Sequence, residues 1–227
     1  MNGPLVDAAS VPDWLRRLVE GTSDLGAAAF TLLRPSRTLR PSPRMRTRAA
    51  SVLILFGEGG RGPDVLLLRR ADTLGSHAGQ VAFPGGGAED HDESVVATAL
   101  REAEEETGVD PAGVRPLAVL PELLVPVSGF AVTPVLAHWE RPSEVHAVDP
   151  AETAAVARVS VADLVDPVNR FSVRRSGTNW TGPAFAVDGL FIWGFTAGLL
   201  SALLAVAGWE REWDSADVRD LAGWEKR

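Results

Sequence analysis

The sequence contains no cysteine. This absence excludes disulfide bonds, zinc–thiolate sites and catalysis by a thiol nucleophile. Basic residues are in the minority: 22 lysines and arginines face 30 aspartates and glutamates, which gives a formal net charge of −8. A general nucleic-acid binder usually carries a basic surface, so the charge balance argues against that class. The first residues lack the basic and then apolar pattern of a signal peptide, and we expect a cytoplasmic protein.

One long uncharged run tests that expectation. Residues 190–207 form 18 positions without charge, which is the lower edge of the length that spans a membrane. No strongly basic segment flanks the run to orient it in a bilayer. Its first residues, FIWG, are typical of a short strand that leads into a helix. We therefore expect a buried helix near the C-terminus, and no association with a membrane.

The composition fits one folded domain with extensions. At 227 residues, with 45% hydrophobic and 23% charged residues, the chain can bury one sizeable core. We divide it into an N-terminal helix and arm (1–46), a main domain (47–207) and a charged C-terminal tail (208–227). Residues 34–48 of the arm, RPSRTLRPSPRMRTR, contain prolines that block regular structure. This stretch is either an extended connection to the first core strand or an anion-attracting strip near a phosphate-rich substrate.

Periodic patterns predict a mixed fold. Residues 11–20 have the spacing of a short amphipathic helix, and the apolar runs 49–56 and 64–70 flank a glycine-rich hairpin loop. Strand-like alternation returns in RPLAVLPELLV, FAVTPVLAHW and AAVARVSV. We expect an α/β or α+β fold in which a mixed sheet lies between helices.

A second substantial helix is well marked. Asp90 or Asp92 can cap its start, and Gly108 is where it should end. Its apolar stripe should face the core through Val96, Ala99, Leu100, Ala103 and Thr107.

Three glutamates share another side of this helix at i, i+3 and i+4: Glu102, Glu105 and Glu106. Glu104 points elsewhere and should be solvated. Carboxylates this close raise at least one pKa when no cation is present, and they become oxygen ligands when a hard divalent ion binds. By itself, such a cluster is also typical of an ordinary water-facing helix surface.

The surrounding residues favour the functional interpretation. Gly87 is followed after five residues by Glu93 and, after seven more, by REAEEETGV (101–109). This spacing resembles the Nudix box at every fixed position. The resemblance implies the Nudix fold, with the box forming a loop–helix–loop. It also implies hydrolysis of a nucleoside diphosphate linked to another moiety, with Mg²⁺ or Mn²⁺ as cofactor.

The resemblance assigns roles to the box residues. The metal ligands would be Glu102, Glu105 and Glu106, any one of which could accept a proton from the attacking water. Arg101 would orient a neighbouring glutamate through a charge-assisted hydrogen bond. Gly87 would allow the loop to turn tightly, and Glu93 would have a structural or supporting role.

A more distant acid often assists as base or ligand in this family. Glu152, within DPAETAAVARV, matches the place where relatives carry such a residue. It could equally be an exposed glutamate near Pro150, and Glu122 is a weaker candidate for the same role.

The segment before the box narrows the substrate. Residues 66–86, LLLRRADTLGSHAGQVAFPGG, resemble the signature of coenzyme A diphosphatases within the Nudix family. Two positions depart from that signature: Leu68 replaces a threonine, and Gly75 replaces an arginine that could grip a phosphate in two places. The residues assigned to substrate binding are Arg70, His77, Gly79, Phe83, Gly85, Gly86 and Gly87.

We therefore expect a metal-dependent pyrophosphohydrolase that cleaves coenzyme A or a derivative to 3′,5′-ADP and a 4′-phosphopantetheine species. One alternative is a hydrolase of another nucleotide, such as a dinucleotide, a nucleotide sugar or a damaged nucleotide. The other is a Nudix module that senses a ligand without cleaving it. The expected partner is a small nucleotide and not a nucleic acid, and a homodimer is left open.

Overall fold

The computed structural model describes residues 2–25, 47–125 and 129–224. Most of the arginine-rich stretch 34–48 lies outside these residues. Within them the chain forms a nine-stranded sheet and a four-stranded sheet. The larger sheet contains β1 (Gly3–Pro4), β2 (Arg48–Gly59), β3 (Gly62–Arg70), β4 (Val81–Ala82), β5 (Gly85–Gly87), β6 (Val114–Val119), β7 (Leu123–Val125), β8 (Phe130–Trp139) and β9 (Thr153–Ser160). The smaller sheet contains β10 (Arg170–Arg174), β11 (Thr181–Val187), β12 (Leu190–Ile192) and β13 (Val218–Asp220).

Helices cover the sheets. Those with both ends in the described residues are α1 (Asp13–Glu20), α2 (Val95–Thr107), α3 (Val161–Leu164) and α4 (Gly194–Ala207). Residues 22–25 are also helical. Single 3₁₀ turns occur at Ala8–Ser10, Pro111–Gly113, Pro167–Asn169 and Leu221–Gly223.

The larger sheet is mixed. Its main order is β1-β6-β8-β2-β3-β4, with β5 beside β2, β7 beside β8 and β9 beside β3. The central pair, β2 and β8, is parallel, and the other pairs in this sheet are antiparallel. The predicted hairpin is confirmed, and its two strands extend into the glycine-rich loop until Gly59 pairs with Gly62. The alternating segments expected as strands form β6 to β9.

Alternate residues of β2 pack against different helices. Leu53 and Leu55 belong to a cluster with Ala99 and Ala103 of α2. Ile54 and Phe56 belong to the other cluster, with residues of α1 and α4 that include Leu15 and Leu200. Because successive side chains of a strand point to opposite faces, the sheet lies between these helices. The expected arrangement of a mixed sheet between helices is confirmed, and among the described helices α2 alone packs on its face of the sheet.

The apolar run near the C-terminus is β12 followed by α4, as its pattern indicates. Most residues of α4 are buried in the core that also contains α1. No helix in the described ranges is long and apolar enough to cross a membrane.

The sequence patterns do not predict the smaller sheet. β10 and β11 pair antiparallel, and β13 joins the other edge of β10 in parallel, from Ser172↔Val218 to Arg174↔Asp220. Part of the segment expected as a charged tail therefore contributes a strand to this sheet.

Candidate active site

The acidic ridge, defined as Glu102, Glu105 and Glu106, lies on α2. Ser94 caps this helix because its Oγ accepts a hydrogen bond from the amide of Ala97 at 3.1 Å. The prediction that Asp90 or Asp92 caps the helix is therefore wrong.

The end of α2 and its apolar face agree with the predictions from the sequence. Gly108 ends the helix in the left-handed region at φ 68°, as expected. The predicted apolar stripe is confirmed by the burial of Ala99 and Ala103, and Glu104 is exposed. Glu93 precedes the cap and is exposed, so it lies on no face of the helix.

Arg101 is the centre of the polar network on the ridge. Its Nε and Nη2 donate to the two carboxylate oxygens of Asp92, at 3.0 and 2.9 Å. Its Nη1 lies 3.0 Å from oxygens of both Glu102 and Glu105. Nη2 also donates to the carbonyl oxygen of Gly87 at 3.0 Å. One guanidinium thus holds two ridge carboxylates and the loop that faces them.

Asp92 belongs to this network but is not among the site residues expected from the sequence. Its side chain is 4% exposed, and it also accepts hydrogen bonds from the amide of Glu89 and the hydroxyl of Thr98. The hydrogen bonds from Arg101, and then that from Glu89, hold the pKa of Asp92 far below its usual value. In return, Asp92 raises the pKa of Arg101, so the guanidinium stays charged. An aspartate just before a helix is typical of an N-cap. The sequence pattern alone does not distinguish such a cap from an ion-pair partner of Arg101.

Glu106 is the most enclosed acid of the ridge. Its side chain is 10% exposed; one oxygen accepts a hydrogen bond from the amide of Gly85 at 2.8 Å, and the other lies 3.6 Å from Nη1 of Arg70. Burial raises the pKa of Glu106 to about 7 despite these two partners, and the charges of Glu102 and Glu152 add to the rise. This carboxylate is therefore short of positive charge.

Glycines of β5 bring the backbone against the ridge. A Cβ atom at Gly86 would lie 2.4 Å from an oxygen of Glu102, and one at Gly85 would lie 2.3 Å from the carbonyl oxygen of Ser51. A larger residue at either position would push the loop away. Gly87 has open space at its Cβ position and lies within a strand, so the expectation of a tight turn there is wrong.

Strand β3 carries the preceding segment to the buried end of the ridge. Arg70 is its last residue and pairs with Thr153 of β9. Next to this pair, the amide of Ala71 donates to the carbonyl oxygen of Glu152 at 2.9 Å. Glu152 itself is exposed, and its charge contributes to the raised pKa of Glu106. Glu122 is exposed just before β7.

The other residues assigned to the substrate shape the loop between β3 and β5. His77 has φ 56°, and its Nδ1 lies 2.8 Å from Oε1 of Gln80. Gly79 has φ 68°, and a Cβ atom there would lie 2.6 Å from Oδ1 of Asp72. Phe83 is 3% exposed and belongs to the core, where it supports the loop instead of facing a ligand. This position corrects the expectation that Phe83 contacts the substrate.

The chemistry of the ridge suits a hard divalent cation. Carboxylate oxygens are the ligands that Mg²⁺ and Mn²⁺ prefer, and burial raises the pKa of Glu102 as well as that of Glu106. As they stand, no three acidic or histidine side chains within the described ranges are close enough to form a ligand set. Arg101, Arg70 and the amide of Gly85 occupy these oxygens. A cation would compete with those donors.

A family model described as the NUDIX domain matches residues 45–180, which is more than half of the chain. The chain belongs to the Nudix family. The Nudix fold is thereby confirmed, and the protein is a hydrolase of the pyrophosphohydrolase class, whose members generally use divalent metal ions.

Curated relatives cover most of the chain. A Cronobacter sakazakii protein named "Uncharacterized Nudix hydrolase NudL" is 37% identical over 189 residues, covering 82% of this chain and 95% of the relative. A Shigella flexneri protein of the same name is 36% identical over 194 residues, with the same coverage of 82% and 95%.

Solved structures resemble the fold more distantly. RenU, a Nudix hydrolase from M. smegmatis, has a TM-score of 0.48 and 20% identity, and the match covers 73% of this chain and 88% of RenU. The NUDIX domain of Shewanella oneidensis NrtR, solved with ADP-ribose, has a TM-score of 0.42 and 21% identity, with coverage of 60% and 84%. At these values neither structure informs the substrate of this Nudix hydrolase.

The contacts of Asp92 give a testable prediction. The Asp92→Asn variant should hydrolyse the preferred substrate of the wild type about 10- to 100-fold more slowly, because loss of the carboxylate releases Arg101 and the glutamates that it holds. Manganese affinity should fall in parallel, which a purely structural role would not require. Asp90→Asn, at an exposed neighbouring acid, is the matched control and should behave as the wild type. Wild-type turnover in Asp92→Asn would contradict the positioning role.

Proposed function

We propose that this Nudix hydrolase cleaves the diphosphate of coenzyme A or a derivative, giving 3′,5′-ADP and a 4′-phosphopantetheine species. The proposal is carried by the contact between the segment that resembles the coenzyme A diphosphatase signature and the buried end of the ridge. Two residues of that segment, Arg70 and Gly85, both contact the carboxylate of Glu106. A diphosphate bound by this segment would therefore lie beside the ridge.

The proposed metal ligands are Glu102, Glu105 and Glu106. One or more Mg²⁺ or Mn²⁺ ions bound there would polarise the phosphoryl oxygens and lower the pKa of a bound water. Arg101, fixed by Asp92, would keep two of these carboxylates in place during turnover. A preformed arrangement matters because phosphoryl transfer depends mainly on positioning and charge.

Arg70 is proposed to bind the substrate diphosphate. Its side chain is 29% exposed and lies beside Glu106, whose charge it balances only partly. Once a cation neutralises Glu106, the guanidinium can donate to phosphate oxygens in two places. Glu152, at the same end of the ridge, is proposed to accept the proton of the attacking water.

The two departures from the coenzyme A signature have different consequences. Leu68 is 1% exposed and pairs with Ala82 inside the sheet, so this change is buried in the core. Gly75 is exposed, with nothing within 4 Å of its Cβ position. The missing arginine therefore leaves open space beside the loop, and the rest of the segment keeps its contacts with the ridge.

The substrate can be tested with a panel of coenzyme A, acyl-coenzyme A, NADH, ADP-ribose and diadenosine polyphosphates in the presence of Mg²⁺. We expect the coenzyme A compounds to be cleaved with the highest kcat/KM, with 3′,5′-ADP detected by chromatography. Glu106→Gln should lower turnover at least about 100-fold, because the amide cannot replace the charge of a metal ligand. Glu104→Gln, at an exposed position of the same helix, should retain activity.

Each contrary result identifies the part of the proposal that fails. Preference for a nucleotide sugar or a dinucleotide would defeat the coenzyme A assignment. No turnover of any compound would favour a sensing module. Full activity in the presence of a chelator would contradict the metal-dependent step.

The open space at Gly75 gives a second prediction. Gly75→Arg should lower the KM for coenzyme A about tenfold, because one charge-assisted hydrogen bond to a phosphate contributes about that much to affinity. The control is Gly75→Gln, which adds length without charge, and it should leave KM near the wild-type value. An equal KM in Gly75→Arg and Gly75→Gln would show that a cation at this position does not meet the substrate.

A further inference from the structure

An open cavity lies away from the acidic ridge. Its volume is about 420 Å³, and it is bordered by β10, β11, α4 and the segment that follows α4. We call it the Arg170 pocket after its buried cation; its polar and aromatic wall contains Arg170, Ser172, Thr181, Ser201, Glu210 and Trp213. It shares no lining residue with the ridge or with the loop between β3 and β5.

Arg170 is buried with part of its hydrogen-bonding capacity unused. The side chain is 2% exposed. Its Nη2 donates to the hydroxyl of Ser201 at 3.2 Å and lies 2.7 Å from a carboxylate oxygen of Glu210. Its Nε and Nη1 have no hydrogen-bond partner among the residues that the structure describes. Buried polar groups are nearly always paired, so these donors indicate an acceptor that the described residues do not supply.

The ion pair with Glu210 does not fully account for this arginine. Glu210 is 36% exposed, so water screens its charge. Burial lowers the pKa of Arg170 by more than Glu210 raises it, which means that the guanidinium is under-compensated. A purely structural arginine, present only to tie the segment after α4 to β10, would leave two donors unpaired at a cost in stability.

We propose that the Arg170 pocket binds a small molecule through an oxyanion, a phosphate or carboxylate group that accepts hydrogen bonds from the free N–H groups of Arg170. Ser172 and Thr181 line the same cavity; the hydroxyl of Ser172 donates to the carbonyl oxygen of Ser215 at 2.9 Å, which leaves the hydroxyl of Thr181 as a further donor. The ring of Trp213 stacks on the guanidinium, with its centroid 4.3 Å from the guanidinium carbon, so an oxyanion would meet the N–H edge of Arg170 and not the face that Trp213 covers. The volume lies within the range of small-molecule sites. The proposal does not depend on the substrate of the ridge.

The test is calorimetric titration of the full chain, without divalent metal, with inorganic phosphate and separately with benzoate. At least one probe should bind, and Arg170→Gln should weaken that binding at least about tenfold, because a charged donor is lost. Thr181→Glu places a negative charge at an exposed position of the wall and should weaken binding several-fold without disturbing the core. Arg61→Gln, the same loss of charge at an exposed position between β2 and β3, should bind as the wild type.

The outcomes separate the sources of the oxyanion. Binding of phosphate alone identifies a phosphate site, and binding of benzoate alone identifies a site for aromatic carboxylates. If Arg170→Gln does not fold, as judged by circular dichroism, Thr181→Glu decides. The proposal is overturned if neither probe binds, or if Thr181→Glu binds the probe as tightly as the wild type.

Discussion

The carboxylate of Glu106 is almost completely buried. Its negative charge is increased in cost by two nearby acids and is only partly balanced by Arg70 and the amide of Gly85. The rise of its pKa from 4.5 to about 7 corresponds to about 3 kcal/mol of unfavourable charge burial. Because the folded-state pKa is raised, ionisation of Glu106 destabilises the folded protein. The protein therefore loses stability as the pH rises from about 4.5 through about 7. At neutral pH the protein therefore gains from any cation that binds the ridge. Three elements meet at this carboxylate: α2 carries it, and Gly85 of β5 and Arg70 of β3 contact it.

The Arg170 pocket presents the opposite problem on the smaller sheet. There a buried cation has too little negative charge around it, and two of its nitrogens have no acceptor among the described residues. Both places combine burial with an unbalanced charge, which proteins usually avoid unless a ligand restores the balance. The two lie on separate elements, so a ligand at one would contact none of the residues that line the other.

Local pattern predicts much of the larger sheet and of α2, because alternation and helical spacing are properties of neighbouring residues. The ridge and its apolar opposite face follow from such spacing, whereas the assignment of Arg70 to the substrate comes from the resemblance to the coenzyme A diphosphatase signature. The role of Asp92 as the partner of Arg101 cannot be predicted in this way, because in a sequence an aspartate before a helix is indistinguishable from an N-cap. The smaller sheet is also beyond local pattern, since β13 pairs with β10 across a large separation in sequence. Arg170 has no motif of its own; its burial appears only once that sheet is formed.

The most direct test of the central claim is the pH dependence of Mn²⁺ binding, followed by electron paramagnetic resonance on the wild type and on Glu106→Gln. Only the ionised carboxylate binds a cation, so protonation of Glu106 competes with the metal. The wild-type affinity should fall as the pH is lowered through about 7, and Glu106→Gln should bind weakly with no change in that range. Wild-type binding that is independent of pH and unaltered in Glu106→Gln would contradict the account.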